Sequence, residues 1–350
     1  MRIREAIEQL ERREDLTREQ ARAVMEELFS GTIPDPEIVA FLVALRDKGE
    51  KAPELVGFAE VMRARAGEGL RQAGVNLEGL AKGGPLLDTC GTGGDGRGTF
   101  NVSTAAALVV AAAGVRVAKH GNRSISSRCG SADVLEALGV ALDIPHERIP
   151  ECLEKVGIVF LFAPKLHLAM KHVMNARRAL KTKTVFNLLG PLTNPLGASM
   201  QLVGIYDRAR TEMMAHALAT VGTRRAFVVA GHDGIDEITT TGPTQVSEID
   251  GKSVATREIG PDDFGLRRAP AEALRGGDPA ANALILRRIL EGEPGPQRDL
   301  VLANASAALV VAGKAEDFRQ GVELAAQALD SQAALDKLRA WVSFTQQCAR

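Results

Sequence analysis

Residues 88–139 carry the densest set of side chains able to do chemistry: DTCGTGGDGRGTFNVSTAAALVVAAAGVRVAKHGNRSISSRCGSADVLEALG. Gly91, Gly93, Gly94, Gly96 and Gly98 leave a loop whose amides can approach an anion without side-chain clash, and glycine enters the left-handed backbone such loops use. Gly91, Gly93 and Gly96 also satisfy G-x-G-x-x-G after a strand predicted over 86–89. A dinucleotide fold would then need an acidic residue after the next strand to hold a ribose hydroxyl. Here the strand predicted over 115–118 runs into Lys119-His120-Gly121-Asn122-Arg123, so its end is cationic. A Walker loop fails too, because Arg97-Gly98 follows Gly96 in place of Lys and Ser or Thr. A phosphate cradle is the reading that remains.

Asn101, Val102, Ser103 and Thr104 follow, then the apolar run 105–113, so the chain passes into a helix whose first turn is rich in side-chain oxygens. Such residues are ordinary N-caps. Behind a glycine loop, however, the free amides and positive dipole end of that helix suit a phosphate. Lys119, Arg123, Ser124, Ser126, Ser127 and Ser131 add donors after the next strand, so two successive turns face one anionic ligand.

These turns need a body to hold them. With 350 residues, 45% of them hydrophobic, the chain can bury a large core and form two domains or one α/β body with an appendage. A net charge of −1 provides no broad attraction to nucleic acid or to a membrane surface. Cys90, Cys129, Cys152 and Cys348 have no metal-ligand spacing, and the N-terminal residues lack a signal-peptide plan, so a cytoplasmic location is expected. The apolar run 105–113 meets Gly114 and Arg116 too soon for a bilayer span.

Residues 2–66 read as helices: Ile3, Ile7 and Leu10 recur at helical spacing, Thr17 with Gln20 forms a capping box, and Asp35-Pro36 starts a further helix. The glycine-rich stretch 67–85 reads as a linker or loose surface loop. Strands predicted over 86–89, 115–118, 158–162, 201–206 and 226–230 alternate with helices, as in a mainly parallel sheet. Residues 244–249 and 253–258 read as a hairpin around Asp250-Gly251, and the last 70 residues as helices rich in alanine and leucine. The expected fold class is α/β, a small helical N-terminal domain with a large α/β domain.

The order GTGGD, N-x-S-T, KHGNRS, GSADVLEALG resembles the anthranilate phosphoribosyltransferase family. FAPKLH at 162–167, FNLLGPLTNP at 186–195, Asp236-Glu237 followed by TTTGPT, DDFGL at 262–266 and GGDPAANA at 276–283 continue the resemblance over essentially the whole chain. It implies a nucleoside phosphorylase/phosphoribosyltransferase architecture: residues 1–74 as a helical domain joined by helices at about 164–183, and 75–350 as the domain binding phosphoribosyl diphosphate. It further implies a homodimer through the helical domain, anthranilate and 5-phospho-α-D-ribose 1-diphosphate as substrates, and magnesium, two ions per monomer.

Carried over to matching positions, the resemblance assigns Gly91, Gly94, Asp95, Thr99, Asn101, Val102, Ser103 and Thr104 to the donor. The second loop, Lys119, His120, Gly121, Asn122, Arg123, Ser124, Ile125, Ser126, Ser127 and Ser131, is assigned to the donor as well. Gly91, Asn122, Arg177, His120 and Pro191 fall to anthranilate, and Ser103, Asp236 and Glu237 to magnesium. By themselves an adjacent Asp-Glu reads as a solvated loop, Arg177 beside Arg178 as a helix-surface cation, and His120 as a structural histidine. No residue is expected to act as a strong acid or base; Lys119 and His120 assist.

Some positions depart from the family pattern. Leu168 stands where proline is common, Met174-Asn175 where Ala-Pro is, Lys183 where arginine is, and Cys129 where serine is frequent. Fewer prolines would loosen the hinge helix carrying Arg177. Two rivals share the architecture: a pyrimidine nucleoside phosphorylase, with a different Lys, Ser and Thr pattern in the second loop, and non-catalytic proteins that bind nucleic acid through a basic groove. The intact GTGGD loop, the acidic pair and the near-neutral charge weigh against the latter.

Overall fold

The computed structural model describes residues 1–124 and 128–349. Helices α1 (Ile3–Glu11), α2 (Arg18–Leu28), α3 (Asp35–Lys48), α4 (Ala52–Gln72) and α5 (Leu77–Lys82) come first. The capping box before α2 is formed: Gln20 N–H donates to Thr17 Oγ1 (3.2 Å) and Thr17 N–H to Gln20 Oε1 (2.7 Å). Ala21, Val24, Met25 and Leu28 then line its buried face, packed on α4.

The stretch read as a linker is mostly helix. Helix α4 runs on through Gly67 and Gly69, and α5 follows. Glycine costs a helix about 1 kcal/mol relative to alanine, but Ala66, Gly67 and Leu70 are buried, so packing outweighs propensity. The helix stops where Gly74 turns left-handed (φ 81°).

Strands and helices then alternate: β1 (Leu87–Gly91), α6 (Val102–Ala112), β2 (Val117–Gly121), α7 (Ser131–Ala137), α8 (Ile149–Lys155), β3 (Ile158–Phe162), α9 (Ala163–Leu166), α10 (Met174–Leu180), α11 (Val185–Leu189), β4 (Met200–Gly204), α12 (Thr211–Thr220) and β5 (Arg225–Gly231). The hairpin β6 (Thr244–Asp250) and β7 (Ser253–Ile259) follows, then α13 (Pro279–Leu290), α14 (Pro296–Val311), α15 (Phe318–Asp330) and α16 (Ala333–Cys348). Among the described residues no helix is long and apolar enough to cross a membrane.

The seven strands lie in the order β3-β2-β1-β4-β5-β6-β7, parallel from β3 through β5 and antiparallel from there. From β1 the chain winds outward to β2 and β3, and it later returns to place β4 on the other side of β1. That reversal makes the carboxyl ends of β1 and β4 the switch point, where open α/β sheets bind ligands.

Two apolar clusters cover the two faces. One joins Leu87, Val117 and Leu202 to α6, α14 and α16. The other joins Cys90, Val203 and Val228 to α1–α4, α10, α11 and α12. Helix α4 is also pinned by Arg63, which donates to the carbonyls of Leu192 (2.5 Å) and Val221 (2.7 Å); burial lowers this guanidinium to about 10.

Strand β2 begins two residues later than the sequence suggests and includes Lys119 and His120. Both are buried, at 2% and 6% exposure, and they point to opposite faces. The basic end of this strand is thus an internal polar layer, viable because each side chain finds partners inside.

Candidate active site

The glycine loop sits on the switch point. Thr92 N–H donates to Gly204 O (2.9 Å) at the end of β4, and Gly93, Gly94, Gly96 and Gly98 all have φ between 63° and 71°. Gly91 is required by proximity: a Cβ there would stand 2.6 Å from Asp236 Oδ2. The GGDPAANA segment, whose role was not legible in sequence, buttresses the loop. Gly276 N–H donates to Gly98 O (2.8 Å), Thr99 pairs with Arg275, and Asn282 donates to Asn101 Oδ1 (2.9 Å). The available signal was an Asn in the first turn of a helix opened by Asp278-Pro279.

Asn101 stands at the N-cap of α6 without capping it; its side chain instead ties this loop to the second one, donating to Cys129 O (3.3 Å). Val102 is fully buried, so only its backbone can serve a ligand. On the β1–β2 face Lys119 Nζ donates to Ser103 Oγ (3.1 Å) and to Thr89 O.

The loop between β5 and β6 brings Asp236 and Glu237 to the same place. Asp236 Oδ2 accepts from Gly93 N–H (2.8 Å) and Glu237 Oε1 from Ser103 N–H (3.1 Å). These residues keep some open surface while their carboxyl groups are densely surrounded, so they are not a solvated loop. Burial, then the charge of Asp95, pushes Asp236 up to about 6; burial, then Asp236, pushes Glu237 well above the carboxylate range.

Asp95 Oδ2 and Thr104 Oγ1 are buried without hydrogen-bond partners among the described residues. No group of three or more His, Cys, Asp or Glu is arrayed as a metal site among those residues. Crowded, mutually repelling carboxylates with an orphaned oxygen nearby nevertheless suit magnesium, which binds through one or two carboxylates plus substrate phosphates.

In the second loop Ser131 Oγ donates to Asn122 O (3.3 Å), and Asp133 Oδ2 accepts from Ser124 N–H (3.1 Å) and Gly130 N–H (2.8 Å). Arg123 pairs with Asp133 (3.0 Å) and Glu136 (2.5 Å), so its charge is already engaged. Ile125, Ser126 and Ser127 lie outside the described residues.

The other face of β2 looks toward His167, Gly190 and Asn194. Asp88, fully buried, accepts from His120 N–H (3.0 Å) and Asn194 Nδ2 (2.9 Å). His120 Nδ1 lies 3.2 Å from Gly190 O, beside the buried Pro191. A carbonyl only accepts, so the His120 proton belongs on Nδ1, and His120 Nε2 lies 3.2 Å from His167 Nε2. Nothing local in the sequence links His167 to His120, which lie 47 positions apart.

Arg177, on α10, stacks over Phe186 (5.1 Å from guanidinium carbon to ring centre), and its Nη1 reaches Met174 Sδ at 3.9 Å. Burial lowers its guanidinium, and no carboxylate pairs with it among the described residues. It is no surface cation. It is a desolvated charge suited to an incoming anion.

The histidine pair makes stability sensitive to acid. Burial holds His120 down at about 3 and His167 at about 4, from an ordinary 6.5. Below pH 6.5 the unfolded chain gains protons on both rings before the folded chain does. Stability is therefore complete above 6.5 and falls with pH toward 4 and 3, by about 1.4 kcal/mol per pH unit for each ring. In urea titrations between pH 7.5 and 5, His167→Asn should remove about half of this slope or more. An unchanged slope would contradict the assignment.

A model of the glycosyl transferase family, helical bundle domain, matches residues 4–66, and one of the glycosyl transferase family, a/b domain, matches 83–335. Helical layer and sheet thus define a two-part glycosyl transferase. Anthranilate phosphoribosyltransferase of Geotalea uraniireducens (strain Rf4) is 49% identical over 353 residues, covering 98% of this chain and 99% of that protein. The same enzyme of Solibacter usitatus is 53% identical over 324 residues, covering 93% of each.

Among solved structures, anthranilate phosphoribosyltransferase from Thermus thermophilus superposes with a TM-score of 0.87 at 42% identity, covering 97% of this chain and 99% of that one. The Saccharomyces cerevisiae enzyme in complex with PRPP and Mg gives 0.85 at 25% identity, covering 99% and 98%. The chain belongs to the anthranilate phosphoribosyltransferase family.

Proposed function

We propose that the chain transfers the 5-phosphoribosyl group of 5-phospho-α-D-ribose 1-diphosphate to the amine of anthranilate. The products are diphosphate and N-(5-phospho-β-D-ribosyl)anthranilate, a step of L-tryptophan biosynthesis. The observation that carries the reading is a pair of desolvated charge sites. One is the crowded Asp236-Glu237 pair beside the phosphate loop, and the other is the lone guanidinium of Arg177 at the hinge.

On the donor side, Gly91, Gly94, Asp95, Thr99, Asn101 to Thr104, Lys119 and the second loop, Gly121 to Ser127 with Ser131, hold the phosphoribosyl diphosphate. Ser103, Asp236 and Glu237 would hold magnesium, two ions per monomer in this reading. When bound, magnesium supplies positive charge that stabilises the departing diphosphate. On the acceptor side, Arg177 pairs with the anthranilate carboxylate through its planar fork, while Gly91, His120, Asn122 and Pro191 line the ring pocket.

Displacement breaks the bond from the anomeric carbon to the diphosphate oxygen, which keeps the electron pair, and forms the bond to nitrogen. The arylamine is neutral at pH 7, so the chain aligns it and needs no strong base. Loop amides and the buried charge of Lys119 are preorganised toward the growing negative charge. His120, neutral at working pH, shapes the pocket without adding charge.

Residues 1–74 with the hinge at 164–183 form one unit of this reading and 75–350 the other, with the ligands between them. A homodimer through the helical domain and a cytoplasmic location complete it. Support for that location comes from Cys90, Cys152 and Cys348, which form no disulfide among the described residues.

Anthranilate fluorescence should decay when the chain meets the donor and magnesium, with saturation in both substrates, and should persist when magnesium is omitted. No decay, together with no calorimetric uptake of the donor by folded protein, would defeat the proposal.

A further inference from the structure

The strip between α10 and α11 carries a cation that the reaction described above does not use. Lys181 ends α10 in the left-handed conformation (φ 49°). Two residues on, Lys183 lays its Nζ 3.3 Å from the centre of the Tyr206 ring. Among the described residues that ammonium makes no hydrogen bond and no ion pair. It nevertheless lies in the field of Asp95, Asp236 and Asp207, of which the first two belong to the candidate donor site.

Tyr206 is itself fastened to the phosphate loop. It follows β4 closely, its N–H donates to Thr92 Oγ1 (3.2 Å), and Thr92 N–H donates back to Gly204 O (2.9 Å). Lys183 therefore rests on a platform attached to the glycine loop, while its own backbone belongs to the hinge. A ring face holds an ammonium by quadrupole attraction alone, more weakly than charged hydrogen bonds to phosphate oxygens would. The long flexible stem of lysine lets its point charge leave the ring without moving the backbone.

We propose that Lys183 is a donor-binding residue, a cationic arm that waits on Tyr206 and passes to the diphosphate of the phosphoribosyl donor. This rests on the transferase reading above. Metal at Asp236 would remove part of the attraction that now holds the ammonium near the carboxylates, and the diphosphate offers it a stronger partner. The transfer also links the hinge strip to the phosphate loop when the donor is bound. The acceptor carboxylate is the less suitable partner, because Arg177 already stands against Phe186 in the hinge pocket, whereas Lys183 lies on the Thr92 side.

The test uses the full chain as wild type, Lys183→Met and Lys183→Arg. Lys183→Met should raise the KM for phosphoribosyl diphosphate about ten- to a hundredfold, the size of a lost charged contact, with the anthranilate KM nearly unchanged. Lys183→Arg should recover most of that loss. Tyr206 is the only tyrosine, so 3-fluorotyrosine labelling gives a single fluorine resonance at this site. Magnesium pyrophosphate should shift that resonance in wild type and much less in Lys183→Met.

An unchanged donor KM in Lys183→Met, or an equal resonance shift in both proteins, overturns the inference and leaves the transferase reading standing. A wild type that consumes no anthranilate defeats that reading instead. The pyrophosphate titration then still decides on Lys183: a shift lost with Lys183→Met supports the arm, and a shift retained refutes it.

Discussion

Turnover should fall about a thousandfold or more when Asp236→Asn and Glu237→Gln are combined, while the chain folds as before. Both carboxylates are crowded by protein, by each other and by Asp95, and each is braced by one loop amide, from Gly93 or Ser103. The amide replacements keep an oxygen for those N–H groups but cannot offer the charge that draws in magnesium. A lost metal contact at the leaving group removes several kcal/mol of transition-state stabilisation, hence the size of the effect. Stability without metal should move the other way. Neutral side chains relieve the repulsion, so the thermal midpoint of the double variant in chelator should exceed that of wild type. Added magnesium with pyrophosphate should raise the wild-type midpoint and leave the variant nearly where it was. Wild-type turnover in the variant, or a lower midpoint in chelator, would contradict this account.

Arg177→Ala should raise the KM for anthranilate about a hundredfold and change the KM for the donor little. The guanidinium is desolvated, stacked on Phe186 and without an anionic partner among the described residues, so a carboxylate entering beside it would find a charge already stripped of water. Two parallel charged bonds are worth roughly 3 kcal/mol, which is about two decades of affinity. Arg177→Lys should recover only part of this, since a point charge cannot reproduce the planar fork. Equal rises in both KM values would move Arg177 out of the acceptor pocket and make it a support for the hinge.

Much of the scaffold was readable because its signals are local. The capping box at Thr17, the strand β3 and the hairpin around Asp250-Gly251 each depend on a few adjacent residues, and each lies where expected. The glycine loop was also readable, since its residues must take positive φ angles that other side chains rarely adopt. Local signals misled where packing opposed them. Gly67 and Gly69 spoke for a loop, yet their helix buries Ala66 and Leu70 and continues to Gln72. Lys119 and His120 lay beyond the strand predicted over 115–118, yet strand pairing extends to both and carries them inside. The second loop placed Arg123 among the donors to an anionic ligand, and α7 engages that charge with Asp133 and Glu136.

By itself the chain determined which chemical groups exist, in what order, and which short segments turn, coil or extend, because those preferences arise within a few residues. It also determined the family, through motifs spread over its whole length. Only the tertiary structure decided that Gly93 meets Asp236 across 143 positions, that His120 faces His167, and that Arg177 finds no carboxylate among the described residues while Arg123 finds two. The reason is that desolvation and charge–charge energies depend on distance in space. A carboxylate that would be ordinary in a solvated loop has its ionisation disfavoured once the fold crowds it against two others.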